Sequence, residues 1–373
     1  MDIREVARLS GVSVATVSRA LNDRPDVSRA TRDRILALAT ELGYEPNHQA
    51  RALVRRRSDL VGVIWDTGYL STRGRHPFLQ DLLVGLKTAF AASGRHLMLL
   101  STTESGVDGY TRVARQHRLE GLILMGVDEG QPAITALLDS AVPCVALDLP
   151  LHGARAGYVT SDNRAGAAAA VAHLHGLGHR RIATICGPLD LMPAAERLAG
   201  YRYSTARLGL PHRPEYIEHG DFFLASGRES MCRLLALPQP PTAVFAAGDE
   251  MAVGAMDALA EAGMDVPGQV SVVGYDDVEA AALVRPALTT VAQDPLQLAA
   301  AAADLLAEII AAGSEPDGPH GDGPGGADSG GADSGGADSG GADSGDEEAP
   351  VAPAPRLVPN RLVIRASTGP APR

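Results

Sequence analysis

From residue 60 to residue 277, short apolar runs alternate with helical stretches, and that alternation restricts the chain to one class of architecture. The runs LVGVIW, HLMLLS, GLILMG and CVALD end near Trp65, Ser101, Gly126 and Asp148, and RIATICG, AVFAAGD and VSVVGYDD end near Gly187, Asp249 and Asp277. Segments of helical spacing, such as 77–92, lie between them. Strand and helix in alternation is the pattern of parallel sheets covered by helices. Two successive blocks of it imply two such subdomains. In open sheets of this kind, ligands sit beyond the carboxyl ends of the strands. That rule singles out the strand-end carboxylates Asp66, Asp148, Asp249 and Asp276.

Residues 1–45 have a different texture and read as three short helices. Val6, Ala7 and Leu9 mark one face of a helix over 3–9, and Ser10-Gly11-Val12 forms a tight turn in which Gly11 supplies a permissive backbone. Val17 and Leu21, spaced i, i+4, turn a second helix over 13–21 toward a core, and Asn22-Asp23-Arg24-Pro25 ends it. Ser28 is suited to cap a third helix to about residue 42, with Ile35, Leu38 and Leu42 apolar. Helix, glycine turn, helix is the geometry whose second helix enters the major groove of DNA. Val14, Ala15 and Thr16, preceded by Ser13, would then face base edges, while Ser18 and Arg19 reach phosphates or a guanine. A purely structural three-helix head has the same spacing.

The charge distribution bears on that choice. The net charge is -12, yet residues 1–58 hold eleven arginines against seven carboxylates, a net of +4, leaving -16 for the rest. A basic head on an acidic body is a DNA-binding layout, because phosphate affinity needs only a local basic patch. As charge alone it is equally a solvated face. Residues 46–58 offer Asn47 as a cap and an apolar side of Ala50, Leu53 and Val54 among four arginines. A helix that short is marginal alone and needs a partner. Residues 313–350 carry ten acids, no Lys or Arg, and the unit GADSG four times in tandem, so they read as a flexible insertion rather than a tail. Strand pattern resumes in RLVPNRLVIRAST, with one last strand expected around 362–366.

Cys144, Cys186 and Cys232 form no CxxC pair, which excludes a disulfide scaffold and a zinc ribbon and fits a reducing compartment. No uninterrupted apolar run reaches the roughly 18 residues of a membrane span. The longest, 298–312, is broken by Asp304 and Glu308, and the N-terminus lacks a secretory pattern. A cytoplasmic protein without a membrane partner, metal or cofactor is expected.

Beyond these patterns, the wording of the chain closely resembles the LacI (lactose repressor) family of bacterial transcription regulators. The stretches are VARLSGVSVATVSRALN at 6–22, VSRATRDRILALATELGYEPN at 27–47, ARALVRRRSDLVGVI at 50–64, HLHGLGHRRIATICGP at 173–188, ERLAGYR at 196–202, PTAVFAAGDEMAVGAMDALAEAGMDVPGQVSVVGYDD at 241–277 and PALTTVAQD at 286–294. The resemblance implies an all-α helix-turn-helix head (1–45), a hinge helix (46–58) and an α/β periplasmic-binding-protein-like core of two parallel-sheet subdomains. It places the first subdomain at 59–157 and 291–312, and the second at 158–290 and 356–367. It also implies that Leu53 is a wedge into the minor groove, that Asn22, Ser28 and Thr31 touch phosphates, and that Val14 and Ala15 hold the variable base-reading positions. Both are apolar here and suit thymine methyls. Asn47 and Ala50 belong to the same DNA-contacting hinge.

In the core, the resemblance assigns Arg197 and Asp276 to an effector pocket, with Gln293 at a crossover that lines the cleft, Phe222 stacking on the ligand and Phe78 at the cleft mouth; the strand-end rule adds Asp66, Asp148 and Asp249. Asp249 suits a helix cap as well as a ligand contact, and Asp277 reads as a helix N-cap. The chain departs from the family where many relatives have Asn-Asp and it has Gly248-Asp249. It departs again where a short Asn-Pro-Phe loop is lengthened to TGYLSTRGRHPF, adding Tyr69, Arg73 and Arg75 and ending in His76, Pro77 and Phe78. The leading expectation is a dimeric repressor of carbohydrate-utilisation genes that a sugar releases from a near-palindromic operator. A tetramer-forming C-terminal helix of the kind known in one branch is not expected. Alternatives are a corepressor-dependent repressor answering to a purine or to a phosphoprotein and, remotely, a cleft enzyme. Against the enzyme, no nucleophile elbow, phosphate loop or metal spacing is present in the sequence.

Overall fold

The computed structural model describes residues 2–21, 26–44, 58–65, 76–100, 106–127, 130–211, 213–313 and 353–373. The expected hinge helix with Asn47, Ala50 and Leu53, the positions Asn22 and Asp66, the long loop with Tyr69, Arg73 and Arg75, and the GADSG insertion beyond Gly313 lie outside the described residues. The chain divides into two units, residues 1–60 with 118–120, and the remainder.

The first unit contains α1 (Ile3–Ser10), α2 (Val14–Leu21) and α3 (Arg29–Glu41). Val6, Ala7, Val17, Ala20, Val27 and Ile35 are its buried core. Gly11 ends α1 at φ 68°, and its N–H bonds to Ala7 O. That left-handed geometry is nearly free for glycine and costly for a residue with a Cβ. Ser28 caps α3 by accepting the Thr31 N–H. Leu9, expected on the buried face, is exposed, because Val6, Ala7 and Ser10 take the core side of α1.

The second unit holds two sheets of six strands, each forming the core of one lobe. The first-lobe strands are β1 (Leu60–Trp65), β2 (His96–Leu100), β3 (Gly121–Met125), β4 (Cys144–Leu147), β5 (Ala156–Ser161) and β11 (Arg356–Val358), in the spatial order β2-β1-β3-β4-β5-β11. The second lobe has β6 (Ile182–Cys186), β7 (Ile217–His219), β8 (Ala243–Ala246), β9 (Ser271–Asp276), β10 (Thr289–Ala292) and β12 (Arg361–Val363), in the order β7-β6-β8-β9-β10-β12. The second sheet is parallel except for β12, which runs antiparallel to β10. Every residue of β3, β4, β6, β8 and β9 is buried, the physical origin of their mostly apolar runs.

Helices α4 (Pro77–Ala92), α5 (Gly109–Gln116) and α6 (Pro132–Leu138) precede the first chain crossing. Helices α7 (Asn163–Gly176), α8 (Met192–Arg207), α9 (Leu224–Leu235), α10 (Asp249–Glu261) and α11 (Glu279–Leu283) follow it, and α12 (Pro295–Ala312) returns to the first lobe. Helix α12 reaches 18 residues and is apolar enough to cross a membrane by length and composition. It instead buries Leu298, Leu305, Leu306 and Ile309 in the first-lobe core with Phe78, Leu82 and Leu86 of α4.

The lobe boundaries expected from the sequence are corrected by the pairing. Strand β5 pairs with β4, so the first lobe keeps the chain through Ser161 rather than 157. Strand β10 pairs with β9, which moves the second boundary from 290 to Ala292. The single last strand expected at 362–366 is two three-residue strands, Arg356–Val358 on β5 and Arg361–Val363 on β10, so the chain crosses between lobes a third time at Pro359-Asn360. The sequences of β5 and β10, AGYVTS and TTVA, are half hydroxylic and lack the apolar signal of their neighbours.

Candidate ligand cleft and nucleic-acid interface

In the head, Ser13 Oγ accepts the Thr16 N–H at 3.1 Å and pairs with Thr16 Oγ1 at 2.9 Å, fixing the start of α2. Val14 and Ala15 are left exposed at that end, with Ser18 half-buried further along the helix. Arg19, also exposed, lies 3.5 Å from the Asp26 carboxylate. Ser28 Oγ accepts the Thr31 N–H at 3.3 Å and donates to Thr31 Oγ1 at 2.9 Å, so two of the three predicted phosphate contacts cluster at the amino end of α3. Free N–H groups and the helix dipole make such an end attractive to anions.

In the second unit a cavity of about 370 Å³ is lined by both lobes. The strand order in each sheet reverses between the first and third strands, and the cavity lies beyond the carboxyl ends there. The first-lobe wall is mostly apolar, with Leu79, Leu82, Met125 and Leu147, joined by Phe78, His76, Gln131 and Asp148. Arg197, Asp276, Asp190 and Phe222 face it from the second lobe.

The polar end is pre-built. Arg197 is buried; its Nε donates to Asn163 Oδ1 at 2.8 Å and its Nη1 to Ala247 O at 2.6 Å, and it lies 3.5 Å from Asp276 Oδ1. Its guanidinium carbon sits 3.7 Å from the centroid of Tyr275 and 5.8 Å from that of Phe222. Asp276 Oδ1 also accepts from Gln293 Nε2 at 2.6 Å, and Ser161 Oγ donates to Gln293 Oε1 at 2.6 Å. Asp148 Oδ1 accepts from Thr160 Oγ1 at 2.5 Å. Burial pushes both Asp148 and Asp276 above the usual carboxylate range, while the positive charge of Arg197 pulls them back. Asp148, Phe222 and Asp276 all have positive φ, at 59°, 68° and 114°. Left-handed backbone at non-glycine residues is strained, and its concentration here marks side chains aimed by the fold.

The Phe222 ring lies against glycine. A Cβ on Gly187 would come within 2.3 Å of it, and one on Gly248 within 3.3 Å. A side chain at Gly248 would point between that ring and Asp276 Oδ2, which is 3.8 Å from the same position. Gly248 therefore leaves open the space that an asparagine would fill.

Two expected contacts are corrected. Gln293 does not line the cavity but holds Asp276 from behind. Asp249 does not line the cavity and is not the helix cap: Gly248 is the N-cap of α10, and the buried Asp249 carboxylate accepts from Thr290 Oγ1 at 2.6 Å and Val278 N at 2.9 Å. Burial pushes it well above the carboxylate range. Asp277 is likewise no N-cap; it accepts from Arg365 at 2.6 Å, and Val278 is the N-cap of α11. The sequence did not mark Gln131 or Asp190 as lining residues, although Asp190 follows β6 in GPLD, where the strand-end rule would have found it. Among the described residues no group of three His, Cys, Asp or Glu is arranged for a metal ion.

Comparison with known proteins adds two family models, two relatives and one solved structure. The model of bacterial regulatory proteins of the lacI family matches residues 2–47, and that of the periplasmic binding protein-like domain matches residues 171–324. The ribose operon repressor of Escherichia coli (strain K12) is 35% identical over 307 residues, 82% of this chain and 91% of that protein. The HTH-type transcriptional regulator CelR of Thermobifida fusca is 37% identical over 295 residues, 77% of this chain and 85% of that protein. Among solved structures, the lac repressor dimer bound to operator and the anti-inducer ONPF matches with a TM-score of 0.75 at 28% identity, covering 99% of both chains.

Proposed function

This chain belongs to the lacI family of bacterial regulatory proteins, and from that premise we propose that it is a dimeric cytoplasmic repressor released from its operator by a free sugar. It is a DNA-binding transcriptional regulator whose core takes an effector. The observation that carries the sugar is the second-lobe end of the cavity. There Arg197 and Asp276 offer fixed donors and acceptors beside the Phe222 ring. Directed hydrogen bonds suit vicinal hydroxyls, and an aromatic face suits the C–H face of a pyranose or furanose. A binding role rather than catalysis is favoured because two of the three cleft carboxylates already hold structural partners, Asp276 with Gln293 and Asp148 with Thr160.

On this reading two copies pair through their cores and place the two α2 helices in successive major grooves of a near-palindromic site, with Val14 and Ala15 against bases and Ser28 and Thr31 on phosphates. Leu53 enters the minor groove between the half-sites. Sugar binding biases lobe closure, and a coupling of about 1–3 kcal/mol changes operator occupancy five- to 150-fold.

The test is a thermal-shift screen of the full chain against free mono- and disaccharides, including ribose and cellobiose, with sugar phosphates and purines. An effector at 100 times its Kd stabilises by about 2.7 kcal/mol. A free sugar that both stabilises the protein and lowers its affinity for operator DNA supports the proposal. A purine that tightens DNA binding instead makes the chain a corepressor-dependent regulator.

A further inference from the structure

His76 precedes α4, and its ring reaches across the cleft. It stands edge-on to Phe222, with centroids 6.3 Å apart and an interplanar angle of 81°, and to Phe223, at 6.1 Å and 76°. Both phenylalanines sit on the second-lobe segment that leads into α9. His76 is buried, lines the cavity, and its Nδ1 has no hydrogen-bond partner among the described residues. Phe222 cannot easily yield, since its ring rests on Gly187.

The charged groups acting on His76 are Asp276, at the end of β9, and Arg197, on α8; Asp148 and Asp190 share the cavity. Asp276 attracts a proton to the imidazole, but it is already engaged by Arg197 and Gln293. An imidazolium carries two N–H donors and needs two acceptors, and Nδ1 faces none. Burial, the dominant influence, therefore holds His76 neutral, below its ordinary value.

We propose that His76 is the contact through which the cleft closes, and that its protonation opens it. The proposal rests, for its meaning, on the reading of this cleft as the effector site, and names a regulation of that site. In the closed cleft the neutral ring packs on two phenyl groups. In the open cleft it is hydrated and takes up a proton near the ordinary value of about 6.5. A proton accepted only by the open form draws the population toward it, so an effector that needs closure binds less tightly in acid.

The experiment uses the full chain without ligand. Spin labels are placed on Cys232, which is exposed on α9, and on Lys87→Cys, at an exposed position of α4; Cys144 and Cys186 are buried. Labelled chain is diluted with unlabelled chain, and distance distributions are recorded by double electron–electron resonance at pH 8 and pH 5.5. The open-to-closed ratio is expected to rise about tenfold on acidification. It should stay constant in His76→Phe, which keeps a ring but cannot take the proton, and in His76→Asn. A parent distribution indifferent to pH overturns the proposal. So does an equal shift in both variants, which traces the effect to the cavity carboxylates. No sugar is present, so this result and the sugar screen fail independently.

Discussion

Strand for strand the two lobes share one order, an edge strand, then the first, third, fourth and fifth, with a short last strand at the far edge. They treat polar groups differently. The second lobe buries Arg197, Asp249, Asp276 and His179, each with hydrogen-bond partners, while the first-lobe cavity wall is largely Phe78, Leu79, Leu82 and Met125. Buried polar groups are tolerable only when hydrogen-bonded, and buried charges only when also paired, so the second lobe must hold its recognition groups in place before any ligand arrives. An apolar wall contributes by removing surface from water, which happens when the cleft closes. Orientation and chemical selection therefore reside in the second lobe, and the gain on closure in the first.

The comparison can be broken most severely at Arg197. Arg197→Ala leaves Asp276 buried without its cation and should cost about 3–5 kcal/mol in urea unfolding as well as abolish effector binding. Arg197→Lys should rescue little, because one ammonium cannot span Asn163, Ala247 and Asp276 together. Stability within 1 kcal/mol of the parent would show that the second lobe is not pre-organised as described. In the first lobe, Leu82→Ala should cost about 3 kcal/mol through lost burial and a residual cavity. Its crystal structure should show the Arg197–Asp276–Gln293 network undisturbed; a rearranged network would mean that the lobes do not divide the work.

A smaller effect separates platform from fold. Gly187→Ala drives a methyl into the space of the Phe222 ring. Effector affinity by calorimetry should fall about tenfold, or 1.4 kcal/mol, with the chain still folded. Unchanged affinity would remove Phe222 from the binding surface. The smallest effect is a slope. Burial raises the folded-state pKa of Asp249 above its unfolded value. The folded chain then holds a proton that the unfolded chain releases, so this contribution to stability is full below the ordinary carboxylate range and is lost as pH rises through the raised value. Asp249→Asn should show a flatter dependence of thermal midpoint on pH above 4 than the parent. Parallel curves would mean that Asp249 stays ionised on folding.

Much of this organisation was legible in the residues. Helix α4 runs over the predicted 77–92, and β1, β3 and β6 end within one residue of their predicted ends. The head's three helices follow from Gly11, Ser28 and the spacing of Val6, Val17 and Ile35. Arg197, Asp148, Asp276, Phe78 and Phe222, named as candidates from the sequence, do come together around one cavity. The crossings were less legible, because β5 and β10 are rich in threonine and serine and because β11 and β12 have three residues each.

The sequence by itself determined the alternation of elements, the two-lobed α/β core and the helix-turn-helix head, since hydrophobic period, glycine turns and caps act over a few residues and are written locally. Only the tertiary structure decided what the buried polar groups do. Asp249 could have been a cap or a ligand contact until Thr290, 41 residues away, and Val278, 29 away, took both of its oxygens. Gln293 could have faced the ligand until Ser161, 132 residues distant, and Asp276 turned it into a support. A buried carboxylate or amide is satisfied by whichever donor the fold brings within about 3 Å, and that partner is chosen by chain crossings far off in sequence.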